Sequence, residues 1–170
     1  MTVISVGLSL PAQVVLAQGT TVEANNGSAI ILKAGETLAA SATSGIPITV
    51  KNLPNLGSGN GLAAFDFSFT WDKNVIKVIS AFAPAAATSW SITPGTPDNT
   101  NGTLRAVGFT TTYSSADVIL LYLGITAVGK VGDSTSISVT INDFGDKDAK
   151  TIAATSVNTP IKISGANLIS

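Results

Sequence analysis

The chain has 170 residues, a formal net charge of −1 and only 11% charged residues. It contains neither His nor Cys, which excludes Ser-His-Asp and Cys-His nucleophiles, thiol redox couples and ordinary zinc or copper sites. Its nine basic and ten acidic residues are scattered singly, so we expect neither a nucleic acid nor a membrane surface as a partner.

Residues 1–18 are apolar and uncharged and are set apart from the rest of the chain. The small-residue pattern Val15-Leu16-Ala17 is typical of the cleavage site of an export signal. The alternatives are a first strand near residues 3–10, which Pro11 would interrupt, or a tail packed on a neighbouring module. We therefore predict an N-terminal segment over residues 1–18, followed by one folded domain over residues 19–170. We expect the protein to be secreted or held at the cell surface.

Alternation of apolar and polar residues with period two predicts β-strands along the domain. The clearest case is residues 65–72, where large aromatic side chains occupy every odd position. These aromatic side chains are expected to face a core, and their polar neighbours to face outward. The predicted strands are residues 29–33, 46–51, 65–72, 75–80, 90–93, 103–112, 117–125, 135–142 and 161–164. Many short strands separated by turn residues predict an all-β sandwich.

The strand at residues 117–125 departs from this pattern because it is apolar on both faces. Its odd positions form one apolar row, and Val118, Leu120 and Tyr122 form a second. A strand with one solvated face is not expected to carry two apolar rows. Either a loop such as residues 81–88 covers the second row, or the row is a partner surface.

Carboxylates are the remaining candidates for chemistry. Asp66 and Asp72 share a strand face but lie about 20 Å apart, too far for the paired acids of a glycosidase. The densest acidic cluster is Asp143, Asp146 and Asp148, in a turn after a strand, and its oxygens are candidate ligands for a structural Ca²⁺. Its spacing differs from that of an EF-hand loop, and a solvated hairpin turn is the alternative. We predict that the protein is not an enzyme.

Exposed aromatic side chains are the usual platform for sugars, and few are available here. The two Trp residues have inward parity, which leaves Tyr113 and Tyr122. A surface of mixed polar and aliphatic residues is more typical of a protein interface. A carbohydrate-binding module of a polysaccharide-degrading or cell-surface protein is the alternative.

Residues 52–78 resemble the signature of cohesin domains. The resemblance lies in a glycine loop, a Phe-Asp-Phe strand at residues 65–67 and the run Trp71-Asp72-Lys73-Asn74-Val75, in which Lys73 replaces the usual Pro. Downstream, an apolar strand, a Gly132-Asp133-Ser134 turn and an acidic turn follow in the same order, so the resemblance covers roughly residues 29–164.

The resemblance implies a nine-stranded jelly-roll sandwich that needs no cofactor of its own and binds a calcium-dependent dockerin domain through one sheet face. Cohesins assemble cellulosomes or attach enzymes to surface scaffolds, so it also implies a non-catalytic interaction module. The matching contact positions are Asp66, Ser68 and Thr70. The strand carrying Val118, Leu120 and Tyr122 is expected beside them, and Tyr113 is a further candidate contact.

Overall fold

The computed structural model describes residues 19–54, 56 and 60–165, so the predicted segment 1–18 lies outside the described residues. Within them, the chain forms twelve strands and one short 3-10 turn. The strands are β1 (Thr20–Ala24), β2 (Ile30–Lys33), β3 (Thr37–Leu38), β4 (Ile46–Lys51), β5 (Leu62–Thr70), β6 (Ile76–Phe82), β7 (Trp90–Pro94), β8 (Thr103–Ser114), β9 (Val118–Ala127), β10 (Ser134–Asp146), β11 (Ala154–Val157) and β12 (Thr159–Ser164). The described residues contain no helix whose length and hydropathy would let it cross a membrane.

The strands form two six-stranded sheets. The front sheet has the order β2-β12-β10-β5-β8-β7. The back sheet has the order β11-β1-β4-β9-β3, and β6 also pairs with β9. All nine predicted strands are present, which confirms the all-β class. Three further strands, β1, β3 and β11, were not predicted, and all belong to the back sheet. They are only two to five residues long, and segments this short carry little periodic signal.

The core lies between the sheets and is built around the aromatic row of β5. Phe65, Phe67 and Phe69 are almost fully buried, as the alternation predicts. The Phe67 ring lies 6.4 Å from that of Phe69, edge to face, and 6.0 Å from that of Phe144 of β10. Aliphatic residues of the back sheet complete the cluster. Because these rings face inward, the intervening β5 side chains must face outward.

A β-bulge explains the two apolar rows of β9. Ile48 of β4 pairs with Leu121, whereas the next residue, Thr49, pairs with Ile119. Leu120 is therefore an extra residue, and the inward parity of the strand changes at this point. Leu120 is fully buried, and Val118 packs against the core. The prediction of an outward row is thus wrong for Val118 and Leu120, and no covering loop is required to explain their apolar character.

Gly108 of β8 provides space for the ring of Phe65. A Cβ at this position would lie 2.3 Å from Cε1 of Phe65. Leu104 and Ala106 of the same strand are also buried. The odd-numbered residues of β8 from 103 to 109 therefore face out of the front sheet.

We predict that Gly108→Ala lowers the free energy of unfolding by about 1–3 kcal/mol, because the added methyl group overpacks the aromatic core. Denaturant unfolding followed by tryptophan fluorescence measures the change. Gly19→Ala is the control, since a Cβ there would meet nothing within 4 Å. Equal denaturant midpoints of unfolding for Gly108→Ala and Gly19→Ala would contradict this account of the packing.

Candidate protein-binding face

The outer face of β5 carries a hydrogen-bonded polar network. Asp66 accepts two bonds from Arg105 of β8, from Nε to Oδ1 at 2.9 Å and from Nη2 to Oδ2 at 2.5 Å. Nδ2 of Asn142 of β10 donates to Oδ1 of Asp66 at 3.1 Å and to Oγ of Ser68 at 2.8 Å. Thr70 is exposed at the end of the same row. The network therefore links three adjacent strands.

A second β-bulge places Asn142 in this network. Ile141 of β10 pairs with Phe67, but Asp143 pairs with Asp66. Asn142 is the extra residue, and both Asn142 and Asp143 are exposed on the outer face. Phe144 returns to the core. Regular alternation would have placed Asn142 and Asp143 on opposite faces, so the sequence pattern did not indicate this arrangement.

The ion pair between Asp66 and Arg105 sets the electrostatics of the face. The hydrogen bond from Arg105 holds the pKa of Asp66 below its usual range, against the opposing effect of burial, and Asn142 adds to the lowering. The side chain of Asp66 is only 15% exposed, whereas that of Arg105 is 68% exposed. The guanidinium group therefore covers the carboxylate and presents the charge to solvent.

Two exposed apolar side chains lie beside the network. Val107 and Phe109 of β8 are 39% and 59% exposed, and they pair with Asp66 and Ala64 of β5. Neither residue is among the contacts predicted from the sequence. The signal was available, because Arg105 has to face solvent, and residues two and four positions later share its face.

The other predicted contacts lie elsewhere. The front-sheet neighbours of β5 are β10 and β8, and β9 belongs to the back sheet, so the expectation that β9 lies beside β5 is wrong. Tyr122 faces outward on the back sheet, paired with Phe82 and Pro47. Tyr113 is exposed near the end of β8, beyond a register shift, and close to Gly61.

The acidic turn does not bring its three carboxylates together. No group of three or more potential metal-ligating side chains occurs among the described residues. Asp146 is buried, and its Oδ1 accepts the backbone N–H groups of Asp148 and Lys150. The hydrogen bond from the backbone N–H of Lys150 is the main cause that keeps the pKa of Asp146 below its usual range. The three acids predicted to bind calcium are therefore not gathered in one cluster, because Asp143 lies on the sheet face and Asp146 binds the backbone of the turn.

Comparison with solved structures identifies the fold. The sixth cohesin of scaffoldin B from Acetivibrio cellulolyticus, solved in complex with a mutant Cel5 dockerin, is 17% identical, with a TM-score of 0.63 over 86% of this chain and 100% of that one. A non-cellulosomal cohesin from the archaeon Archaeoglobus fulgidus is 14% identical, with a TM-score of 0.64 over 87% and 93%. The OlpC cohesin of a type I cohesin–dockerin complex from Clostridium thermocellum is 17% identical, with a TM-score of 0.62 over 89% and 97%.

No protein-family model matches the sequence, and no curated protein matches it either. The structural similarity nevertheless extends over nearly the whole length of each cohesin. The chain therefore has the fold of cohesin domains, which confirms the predicted jelly-roll sandwich.

We predict that Arg105→Ala raises the pKa of Asp66 toward its ordinary value of 3.8. Because the folded-state pKa is lowered, the stabilisation from ionised Asp66 is complete above the unfolded-state pKa and is lost as the pH falls through the folded-state value. NMR titration of the side-chain carboxyl carbon of Asp66 measures the shift. Lys162→Ala removes a distant cation and should leave the titration unchanged, whereas an unchanged titration in Arg105→Ala would contradict the assignment.

Proposed function

We propose that this protein is a non-catalytic interaction module that binds a dockerin domain through the outer face of β10, β5, β8 and β7, hereafter the docking face. One observation carries the proposal. On that face, a hydrogen-bonded polar network lies next to the exposed apolar side chains of Val107 and Phe109. The cohesins of similar fold from Acetivibrio cellulolyticus and Clostridium thermocellum were solved in complex with dockerins, which supports this choice of partner.

The docking face has the composition of a specific interface. Phe109 is a large, exposed aromatic side chain, and such residues, together with Arg, often supply most of the energy of binding. The bonds of Asp66 and Asn142 hold their side chains in one arrangement before a partner arrives. Such preorganisation reduces the entropy lost on association.

A binding role also fits the chemistry of the side chains. The chain has no His or Cys, and the largely buried carboxylate of Asp66 is held ionised by Arg105, which disfavours a role as a general acid. We infer an extracellular scaffold as the setting. The apolar, uncharged segment at residues 1–18 supports this setting because its composition is typical of an export signal.

We predict that Phe109→Ala weakens dockerin binding by about 5- to 100-fold, as expected for a truncated aromatic anchor. Titration calorimetry against a panel of calcium-loaded dockerin domains measures the affinity, and EDTA should abolish binding because the calcium belongs to the dockerin. Ile31→Ala is the matched control. Ile31 is also highly exposed on the front sheet, but it lies on the edge strand β2, and its loss should not change the affinity.

We predict different outcomes for Asp66 and Tyr122, which are both candidate contacts from the sequence. Asp66→Ala should weaken binding by about fivefold or more, because it releases Arg105 and breaks the network. Tyr122→Ala should leave binding unchanged, because Tyr122 lies on the back sheet. Loss of affinity in Tyr122→Ala with a folded protein, and none in Asp66→Ala, would place the interface on the other sheet.

A further inference from the structure

The docking face has an uneven distribution of charge. Arg105 is the only cationic residue of β10, β5, β8 and β7, all four of which are described in full. Of the three acids on these strands, Asp66 is covered by Arg105 and Asp146 is buried in its turn. On these four strands, the accessible charges are therefore the guanidinium group of Arg105 and the carboxylate of Asp143.

Arg105 is held in place but retains unused donors. A guanidinium group carries five N–H donors in a rigid plane, and the two bonds from Nε and Nη2 to Asp66 leave the rest of the group free to bind a partner. The side chain is 68% exposed even with this pair formed. Because the ion pair fixes the plane of the group, little entropy is lost when a further acceptor binds.

The surroundings of Arg105 favour an acidic acceptor. Val107, two residues further along β8, and Phe109 are exposed apolar groups on the same face. A partner that covers them would remove water from the neighbourhood and strengthen a charged hydrogen bond. A basic partner group has little access to Asp66, because its side chain is only 15% exposed and Arg105 covers it.

We propose that the partner places the carboxylate of an Asp or Glu side chain on Arg105, beside the apolar contact with Phe109. This inference rests on the proposed function and adds the chemistry by which one dockerin is selected over another. Arg105 is then the specificity-determining contact of the face, and Asp66 is the residue that positions it. A carboxylate fits because its two oxygens match the planar donors of a guanidinium group.

The test uses the full chain and the tightest-binding calcium-loaded dockerin of the panel. Arg105→Glu reverses the charge, and Arg105→Gln removes it while keeping an amide that can still bond to Asp66. Lys162→Glu is the matched control, because it makes the same change in net charge at an exposed cation on β12 of the same sheet. Circular dichroism and thermal unfolding establish that each variant is folded.

We expect Arg105→Glu and Arg105→Gln to weaken binding by about tenfold or more, and Lys162→Glu to leave the affinity close to that of the wild type. Substituting the acids of the dockerin one at a time by Lys should then identify one change that restores binding to Arg105→Glu. Equal affinities for Arg105→Glu and Lys162→Glu, tighter binding by Arg105→Glu, or the absence of any restoring substitution would overturn the proposal.

These outcomes are distinct from failure of the proposed function. If wild-type protein binds no dockerin, the proposed function is wrong and the inference about Arg105 is wrong with it. If wild-type protein binds and Phe109→Ala weakens binding, but Arg105→Glu does not, the proposed function stands and only the acidic contact is rejected. If Asp143→Lys weakens binding while Arg105→Glu strengthens it, the partner brings a basic group instead.

Discussion

The aromatic row of β5 is the constraint on which the rest of the molecule depends. Phe65, Phe67 and Phe69 are buried against β10 and the back sheet, and burial of large aromatic side chains is among the strongest contributions to the stability of a core. Since side chains alternate along a strand, this burial determines that Asp66 and Ser68 face outward. One side of β5 thus faces the core, and its other side forms part of the docking face.

Bulges adjust this simple geometry at two positions. In β10 the bulge lets Asn142 and Asp143 point to the same side while Phe144 still reaches the core. In β9 the bulge lets Leu120 and Leu121, one from each apolar row, both face the core, while Tyr122 still faces outward. Each extra residue changes which side chains are available at the surface without changing the order of the strands.

In the polar network, an acidic residue holds a basic side chain at the surface. The side chain of Asp66 is largely buried and is hydrogen-bonded to residues of two neighbouring strands, so it anchors Arg105 and is not itself the outermost charge. Isolated exposed ion pairs contribute little to stability. The more important effect here is orientation, because a fixed guanidinium group beside exposed apolar side chains is well suited to recognition.

Local periodicity in the sequence by itself determined the sandwich class, nine of the strands and the outward direction of Asp66, Ser68 and Thr70, because alternation depends only on neighbouring residues. Only the tertiary structure decided that β9 belongs to the back sheet, that Leu120 is buried, and that Arg105, Val107 and Phe109 stand beside Asp66. Strand order and bulges depend on contacts between residues far apart in the chain, and a one-residue shift in register reverses the face of every later side chain.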